Sequence, residues 1–489
     1  MNESLTFGLL VLCVAAAALF AVQSHLLSAL LRIPTPVFFL IAAALSVELI
    51  PDLREPPHQI VERVVTLALV IILFDGGLHI GAARFREAAP AVLSLGVVGT
   101  FATAAGGAVL VHVVLGGSWY VAVLVATAIA PTDPAVVFSV LGQREVDGPS
   151  GTVLQGESGA NDPVGIALMT ALIAAGSLSA GAAVEVAGTF ALQMLVGVAV
   201  GLVGGRLLLV VMRRLPLPSE GLYPVRVLVG AAALFGIATV AHGSGFLAVF
   251  VAGILLGDER APYKRDIERF HSALASLAEV VAFAYLGFTV HLDVLARTEV
   301  WGPGLVVGLT LALVVRPLVG APLLLAGRLT RGERAFVLFA GLKGAVPLLL
   351  GTFLLASGVP RAEQLYGVIV VVVLVSVVVQ GSLIPTVARM LHVRMRTLAT
   401  EPFSLGVRLR DEPQDAHRVT VSPGSAADGQ RIADLQGLAE GTWVSLVVRK
   451  GILLSLRGDT VLRAEDDVLV LSDPEQDSDL VRDLFAVPE

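Results

Sequence analysis

The sequence predicts an all-α polytopic membrane protein of about thirteen transmembrane helices, arranged as inverted repeats with two broken crossing helices and followed by a small α+β domain. Three observations carry that prediction. Hydrophobic residues make up 56% of the 489 positions and charged residues only 15%, with a mean hydropathy of +0.85, far more apolar than a soluble globular chain. The apolar residues gather into long runs joined by short loops. After Thr400 the composition changes, with charged and polar residues every few positions.

In chain order the apolar segments span 5–24, 36–50, 60–80, 89–115, 119–141, 151–176, 186–211, 224–242, 245–257, 271–291, 301–327, 334–356 and 364–389. A straight span needs ~20 residues, so 36–50 and 245–257 are short for the task. The first segment has only Glu3 before Leu5 and lacks the basic start of a cleaved signal peptide, so it is expected to stay as a helix. An odd number of spans puts the termini on opposite faces of the bilayer. Arg84, Arg86, Arg213, Arg214, Lys264, Arg265, Arg331 and Arg334 all fall on one side, against little beyond Arg54, Arg63, Arg297 and Arg361 on the other. The positive-inside rule then places the N-terminus outside and the C-terminus in the cytoplasm of a multi-pass cell-membrane protein.

The expected domains are a transmembrane domain over 1–400, a polar linker over 401–416 and a cytoplasmic domain over 417–489. In the last, the alternating runs Trp443–Val448 and Val468–Leu471 read as strands, and Arg449-Lys450-Gly451 reads as a hairpin turn into 452–456. A single cysteine, Cys13, excludes an internal disulfide framework and a cysteine-rich zinc site. The net charge of −7 and scattered basic residues leave no nucleic-acid footprint.

The chemistry is expected where polar groups interrupt apolar runs. Gly156-Glu157-Ser158-Gly159-Ala160-Asn161-Asp162-Pro163 lies in a hydrophobic segment, and a charge at the bilayer centre costs roughly 2.5–3.5 kcal/mol on insertion scales, so such groups usually line an ion or proton path. Glu157 and Asn161 share one helical stripe and Ser158 and Asp162 the next, while Pro163 frees the Gly159 carbonyl. These are hard oxygen ligands suited to an alkali cation; the alternative is a buried helix start whose backbone donors they satisfy. Pro131-Thr132-Asp133-Pro134 should break the preceding helix, with Asp133 capping the second half and Thr132 bearing unwound carbonyls. Half-helix ends of this kind form the sites of secondary transporters. Gly341-Leu342-Lys343-Gly344-Ala345-Val346-Pro347 is the matching break in the second half, and Lys343 is expected to pair with Glu157. Glu279 is a deep acid that a transport role would suit, and Asp75 suits capping or pairing about as well as serving ions; His112 and His242 fall near segment ends, where interfacial histidines are commoner than pH sensors.

These residues, together with Ser244-Gly245-Phe246-Leu247-Ala248 and Ala252-Gly253, resemble the monovalent cation:proton antiporter-1 family over roughly 5–390. The resemblance implies a six-helix core domain that carries the ion, a dimerisation domain, a homodimer and elevator-like alternating access. It implies Asp162 as the shared cation and proton site, Asp133, Glu157, Ser158 and the Thr132 carbonyl as cation ligands, and Asn161 as the group that orients them. Where the family usually has arginine this chain has Lys343, which keeps the charge but not the bidentate fork. Burial favours a neutral carboxyl and a bound cation favours a charged one, so one aspartate holds a proton or a cation but hardly both. The Asn161-Asp162 pair, with one titrating aspartate, implies one cation per proton, electroneutrally, with potassium or sodium as the cation and no cofactor.

The tail resembles the C-terminal regulatory subdomain of potassium channels and potassium efflux systems at Leu438-Ala439-Glu440-Gly441, Val448-Arg449-Lys450-Gly451 and Gly458-Asp459-Thr460-Val461-Leu462. That resemblance tilts the cation towards potassium and implies a small nucleotide such as cyclic di-AMP as a regulator. A cation channel gated by the tail is the alternative, but no Thr-Val-Gly-Tyr-Gly filter is present. Proteolysis has no Gly-x-Gly-Asp or His-Glu-x-x-His sequence to work with, so an enzyme is not expected.

Overall fold

A computed structural model describes residues 34–49, 56–141, 144–146, 148–258, 263–327, 329–397, 416–435, 442–449, 452–454, 456–471 and 484–485. The chain divides into two compact units, Met1–Leu398 and Ala399–Glu489. The first expected segment, 5–24, and nearly all of the expected linker lie outside the described residues.

Every later apolar run is helical. The helices are α1 (Thr35–Leu49), α2 (His58–Ile80), α3 (Ala82–Leu115), α4 (Trp119–Ile129), α5 (Pro134–Leu141), α6 (Pro149–Ala175), α7 (Ala180–Arg214), α8 (Leu222–Val240), α9 (Gly245–Gly257), α10 (Lys264–Gly287), α11 (Thr298–Leu323), α12 (Arg331–Phe339), α13 (Ala345–Ala356) and α14 (Ala362–Met390). Among the described residues, seven runs are long and apolar enough to cross a bilayer, namely α3, α4 together with α5, α7, α8, α10, α11 and α14, and α1, α9 and α13 are shorter apolar helices. The pairs α4/α5 and α12/α13 are the two runs that proline and glycine break, as the sequence predicts. Among the described residues, three helices contain a π turn: Ser94–Val98 in α3, Leu311–Val315 in α11 and Val375–Gln380 in α14.

Packing sorts the helices into two bundles. One holds α1, α2 and α7–α10, with α2 against both α9 and α10; the other holds α3–α6 and α11–α14. The α2–α9 seam is glycine on both sides, because a Cβ on Gly77 would meet the Phe250 carbonyl oxygen at 2.5 Å and one on Gly257 would meet the Gly81 Cα at 2.6 Å. Gly81 also makes the whole turn from α2 to α3 with φ of 70°, a left-handed conformation that side-chain-bearing residues avoid. The strands β1 (Arg144–Val146) and β2 (Met395–Thr397) pair antiparallel beyond α5 and α14.

The second unit is a four-stranded antiparallel sheet of β3 (Ala416–Thr420), β4 (Trp443–Arg449), β5 (Ile452–Leu453) and β6 (Asp467–Leu471), in the order β3-β6-β4-β5. Arg449 pairs with Ile452, which places the expected hairpin turn between β4 and β5. Val421, Val447, Leu462, Val468, Val470 and Phe485 fill its core. Beside them the fully buried Asp466 carboxylate takes both Arg449 Nε and Nη2 at 2.7 Å and the Arg463 N–H at 2.8 Å. Burial pushes this carboxyl up, but the guanidinium and the N–H outweigh it and hold it below its ordinary range. A depressed acid contributes stability that is present above its unfolded value and lost as pH falls through its folded value. Arg449→Met should therefore destabilise the sheet by about 2–3 kcal/mol at neutral pH, with a smaller difference from wild type near pH 3. Hydrogen exchange of the β6 amides in the full chain, compared at the two pH values, measures both.

Candidate functional site

The two broken helices cross at their unwound segments. The Asp133 N–H donates to the Leu342 carbonyl at 2.8 Å, which locks one break onto the other. Each break exposes helix ends, and side chains of opposite charge answer them. Lys343 Nζ donates to the carbonyls of Ala130 at 2.8 Å and Pro131 at 3.1 Å, at the negative end of α4. The Asp133 carboxylate accepts the Ala135 N–H at 2.9 Å, with the Val136 and Ala345 N–H groups also directed at it, so it sits at the positive ends of α5 and α13 together. A Cβ at Gly344 would occupy the space of this carboxylate, so the close approach needs glycine there.

Helix α6 runs unbroken through Pro163 and brings its polar stripe to the crossing. Glu157 and Asp162 are only 2% and 5% exposed. Asp162 Oδ2 accepts the Ser158 hydroxyl at 3.2 Å, while Oδ1 is buried and has no hydrogen-bond partner among the described residues. Asn161 Nδ2 donates to Thr132 Oγ1 at 2.8 Å, and its Oδ1 is likewise buried and unpartnered among the described residues. Thr132 in turn donates to Glu157 Oε1 at 3.2 Å. Buried polar atoms are seldom left without a partner. Two adjoining residues with such oxygens, which accept but cannot donate, have the chemistry to take a cation, and at Asp162 a proton.

The expected pair of Glu157 with Lys343 does not form. Both oxygens of Glu157 are taken by Arg316, with Nη1 at 2.8 Å from Oε1 and Nη2 at 3.0 Å from Oε2. Arg316 also donates to the carbonyls of Leu338 and Val337 at the open end of α12. The planar guanidinium matches a carboxylate in two parallel bonds, whereas the lysine ammonium is drawn to the carbonyls of α4. Glu157 is thus the anchor of a network through Arg316, Thr132 and Asn161.

The sequence reading missed Arg316, although a lone arginine before Pro317 in the 26-residue apolar span Thr298–Leu323 was the signal. It missed Ser376 and Gln380 too. Ser376 accepts the Lys343 N–H at 3.0 Å and donates to Gln380, which donates to the Phe339 carbonyl. All three π turns meet this region: Gly96 of α3 lies against Ala160 and the Glu157 carbonyl, Arg316 follows the π turn of α11, and Ser376 and Gln380 belong to that of α14. Such turns are rare and concentrate at functional sites.

The remaining candidates lie elsewhere or at the margin. Asp75 is bound to His79 at 3.3 Å and to the Ser272 hydroxyl at 3.3 Å, a local pairing on α2 and α10. His112 stacks on Trp119, and Ser244 caps α9 through the Leu247 N–H. Glu279 of α10 buries Oε1 without a partner among the described residues. A cavity of about 370 Å³ lined by His58, His291, Arg361 and Tyr366 contains none of the cluster.

Comparison with known proteins agrees with this architecture. Residues 14–390 match the family described as sodium/hydrogen exchanger, transmembrane, and residues 416–486 match the TrkA-C domain. The K(+)/H(+) antiporter NhaP2 of Shewanella sp. (strain MR-4) is 31% identical over 483 residues, covering 96% of this chain and 82% of the relative. The K(+)/H(+) antiporter NhaP of Alkalimonas amylolytica is 30% identical over 471 residues, covering 95% and 81%. The Na(+)/H(+) antiporter NhaH of Halobacillus dabanensis is 28% identical over 336 residues, covering 65% and 80%. The solved structure of the sodium proton antiporter MjNhaP1 from Methanocaldococcus jannaschii at pH 8 shares the fold, with a TM-score of 0.64 at 22% identity, covering 78% of this chain and all of that one.

Proposed function

The chain belongs to the sodium/hydrogen exchanger family, and from that premise we propose that Asp162 is the shared site at which it exchanges a monovalent cation for a proton across the membrane. The observation that carries the assignment is a charge count. At the crossing, three carboxylates, Asp133, Glu157 and Asp162, face two bases, Arg316 and Lys343, so the fully ionised cluster is one charge negative. A charge left uncompensated in a low dielectric is costly. One proton or one monovalent cation neutralises it, and the unpartnered Asp162 Oδ1 is where either binds.

The roles of the other residues follow from their contacts. Asn161 and Ser158 hold ligand oxygens beside Asp162, and the family resemblance adds the Thr132 carbonyl as a further ligand. Asp133 and Lys343 fix the broken helices by neutralising their ends. Glu157 and Arg316 position the network. Since proton and cation compete for one negative charge, a bundle that moves only when neutral exchanges them one for one, without net charge movement. The helices α3–α6 and α11–α14 carry the site, and the other bundle is the frame against which they move, in a homodimer of the cell membrane with the C-terminal unit in the cytoplasm. Potassium is the expected cation, since the relatives that span nearly the whole chain are named K(+)/H(+) antiporters. None of the relatives named above supports a gated channel. The TrkA-C unit is a regulatory domain with a small nucleotide such as cyclic di-AMP as its candidate ligand.

The test is proton movement in proteoliposomes with a trapped pH dye and an imposed proton gradient, adding potassium, sodium and lithium separately. Saturable proton movement driven by potassium is the expected result, altered by cyclic di-AMP on the face bearing the C-terminal unit. Proton movement that fails to saturate with cation concentration, or no response to any of the three cations, would overturn the exchange reading.

A further inference from the structure

Glu279 has no assigned part in the exchange just described, yet it is the other acid in this region with a buried, unpartnered oxygen. It lies on α10, in the bundle that does not hold Asp162, with Oε1 buried and unpartnered among the described residues. Helix α10 packs against α13. The first residue of α13, Ala345, directs its N–H at Asp133, and Gly344 just before it lies against the Asp133 carboxylate. Glu279 thus stands on the helix that packs beside the end of α13 at which Asp133 sits. Neither base of the cluster answers it: Arg316 is committed to Glu157, and Lys343 to the carbonyls of α4.

An acid in this position is poorly explained as a structural group, because a half-buried carboxyl that only stabilises the fold seldom leaves its buried oxygen without a partner. Both ions that Asp162 takes, proton and monovalent cation, are also taken by a free carboxylate. We infer that Glu279 is a transfer carboxylate on the ion's route, which receives the cation or the proton from water on the static side of the interface and passes it towards Asp133 and Asp162. The inference rests on the exchange reading above. It adds a second acid, on the opposite bundle, that governs how readily the site loads without being the site itself.

The test is cation-driven proton movement by the full chain in proteoliposomes, comparing wild type with Glu279→Gln and Glu279→Asp over a range of pH and potassium concentration. Glu279→Gln should raise the KM for potassium by about tenfold and displace the pH profile, equivalent to about one unit of proton affinity, while turnover at saturating potassium stays near wild type. Glu279→Asp should recover most of both changes, which a packing role would not. An unchanged KM and pH profile in Glu279→Gln, with wild type active, would overturn this inference alone. Equal impairment of the aspartate and glutamine variants, with KM unmoved, would also overturn it. Silence of the wild type towards every cation would instead remove the exchange reading, and this inference with it.

Discussion

Asp162→Asn is expected to abolish cation-driven proton movement while leaving the chain folded. Asparagine is nearly isosteric and can still accept the Ser158 hydroxyl through its carbonyl oxygen, so the local packing has little reason to change. The cluster, however, becomes neutral without any bound ion. A cation would then bring an uncompensated positive charge to a buried site, and there would be no carboxyl to release a proton. Loss of a group that both takes and gives the transferred proton should lower turnover by at least about a hundredfold. The measurement is dye quenching in proteoliposomes at saturating potassium, beside a melting curve of the same preparation. Exchange above a few per cent of wild type would remove Asp162 from its proposed role, and a collapsed melting curve would show that the variant had failed to fold.

Arg316→Leu should have the largest effect on stability. Removing one member of a buried ion pair strands the other, a loss of about 3–5 kcal/mol. Here Glu157 would be left without its partner at 2% exposure, and the carbonyls of Leu338 and Val337 would lose their donor as well. The double variant Glu157→Leu/Arg316→Leu removes both charges, so it should be markedly less destabilised than Arg316→Leu alone. Thermal unfolding in detergent compares the three proteins. Equal melting of Arg316→Leu and wild type would show that this guanidinium does not hold the network together.

Much of the site was legible because it violates the apolar pattern around it. Prolines and glycines at 131, 134, 341, 344 and 347 mark the two breaks, and Glu157, Asn161 and Asp162 stand out within a hydrophobic helix. Helical spacing places Glu157 and Asn161 on one stripe, and both do bond to Thr132. The partner of Glu157 was not legible. Spacing describes neighbours along one helix, whereas the choice between Arg316 and Lys343 depends on how separate helices meet across the bundle. The short apolar runs 36–50 and 245–257 could have been halves of longer spans, yet the structure keeps them as helices of 15 and 13 residues. The π turns left no mark in composition, because valine, leucine and glycine suit either hydrogen-bond register.

Those π turns have a genetic consequence. Each accommodates one residue beyond the number that an α-helical turn would hold. If one of Leu311–Val315 were deleted, α11 could close into an ordinary helix, still apolar and still long enough to cross the bilayer. Its second half would then keep nearly the same rotation and height, leaving Arg316 facing Glu157, because the π turn is what takes up the extra residue. A single-codon deletion inside one of these π turns should therefore be better tolerated than one in the regular helix on either side, which would rotate every later residue by about 100° and move it by about 1.5 Å.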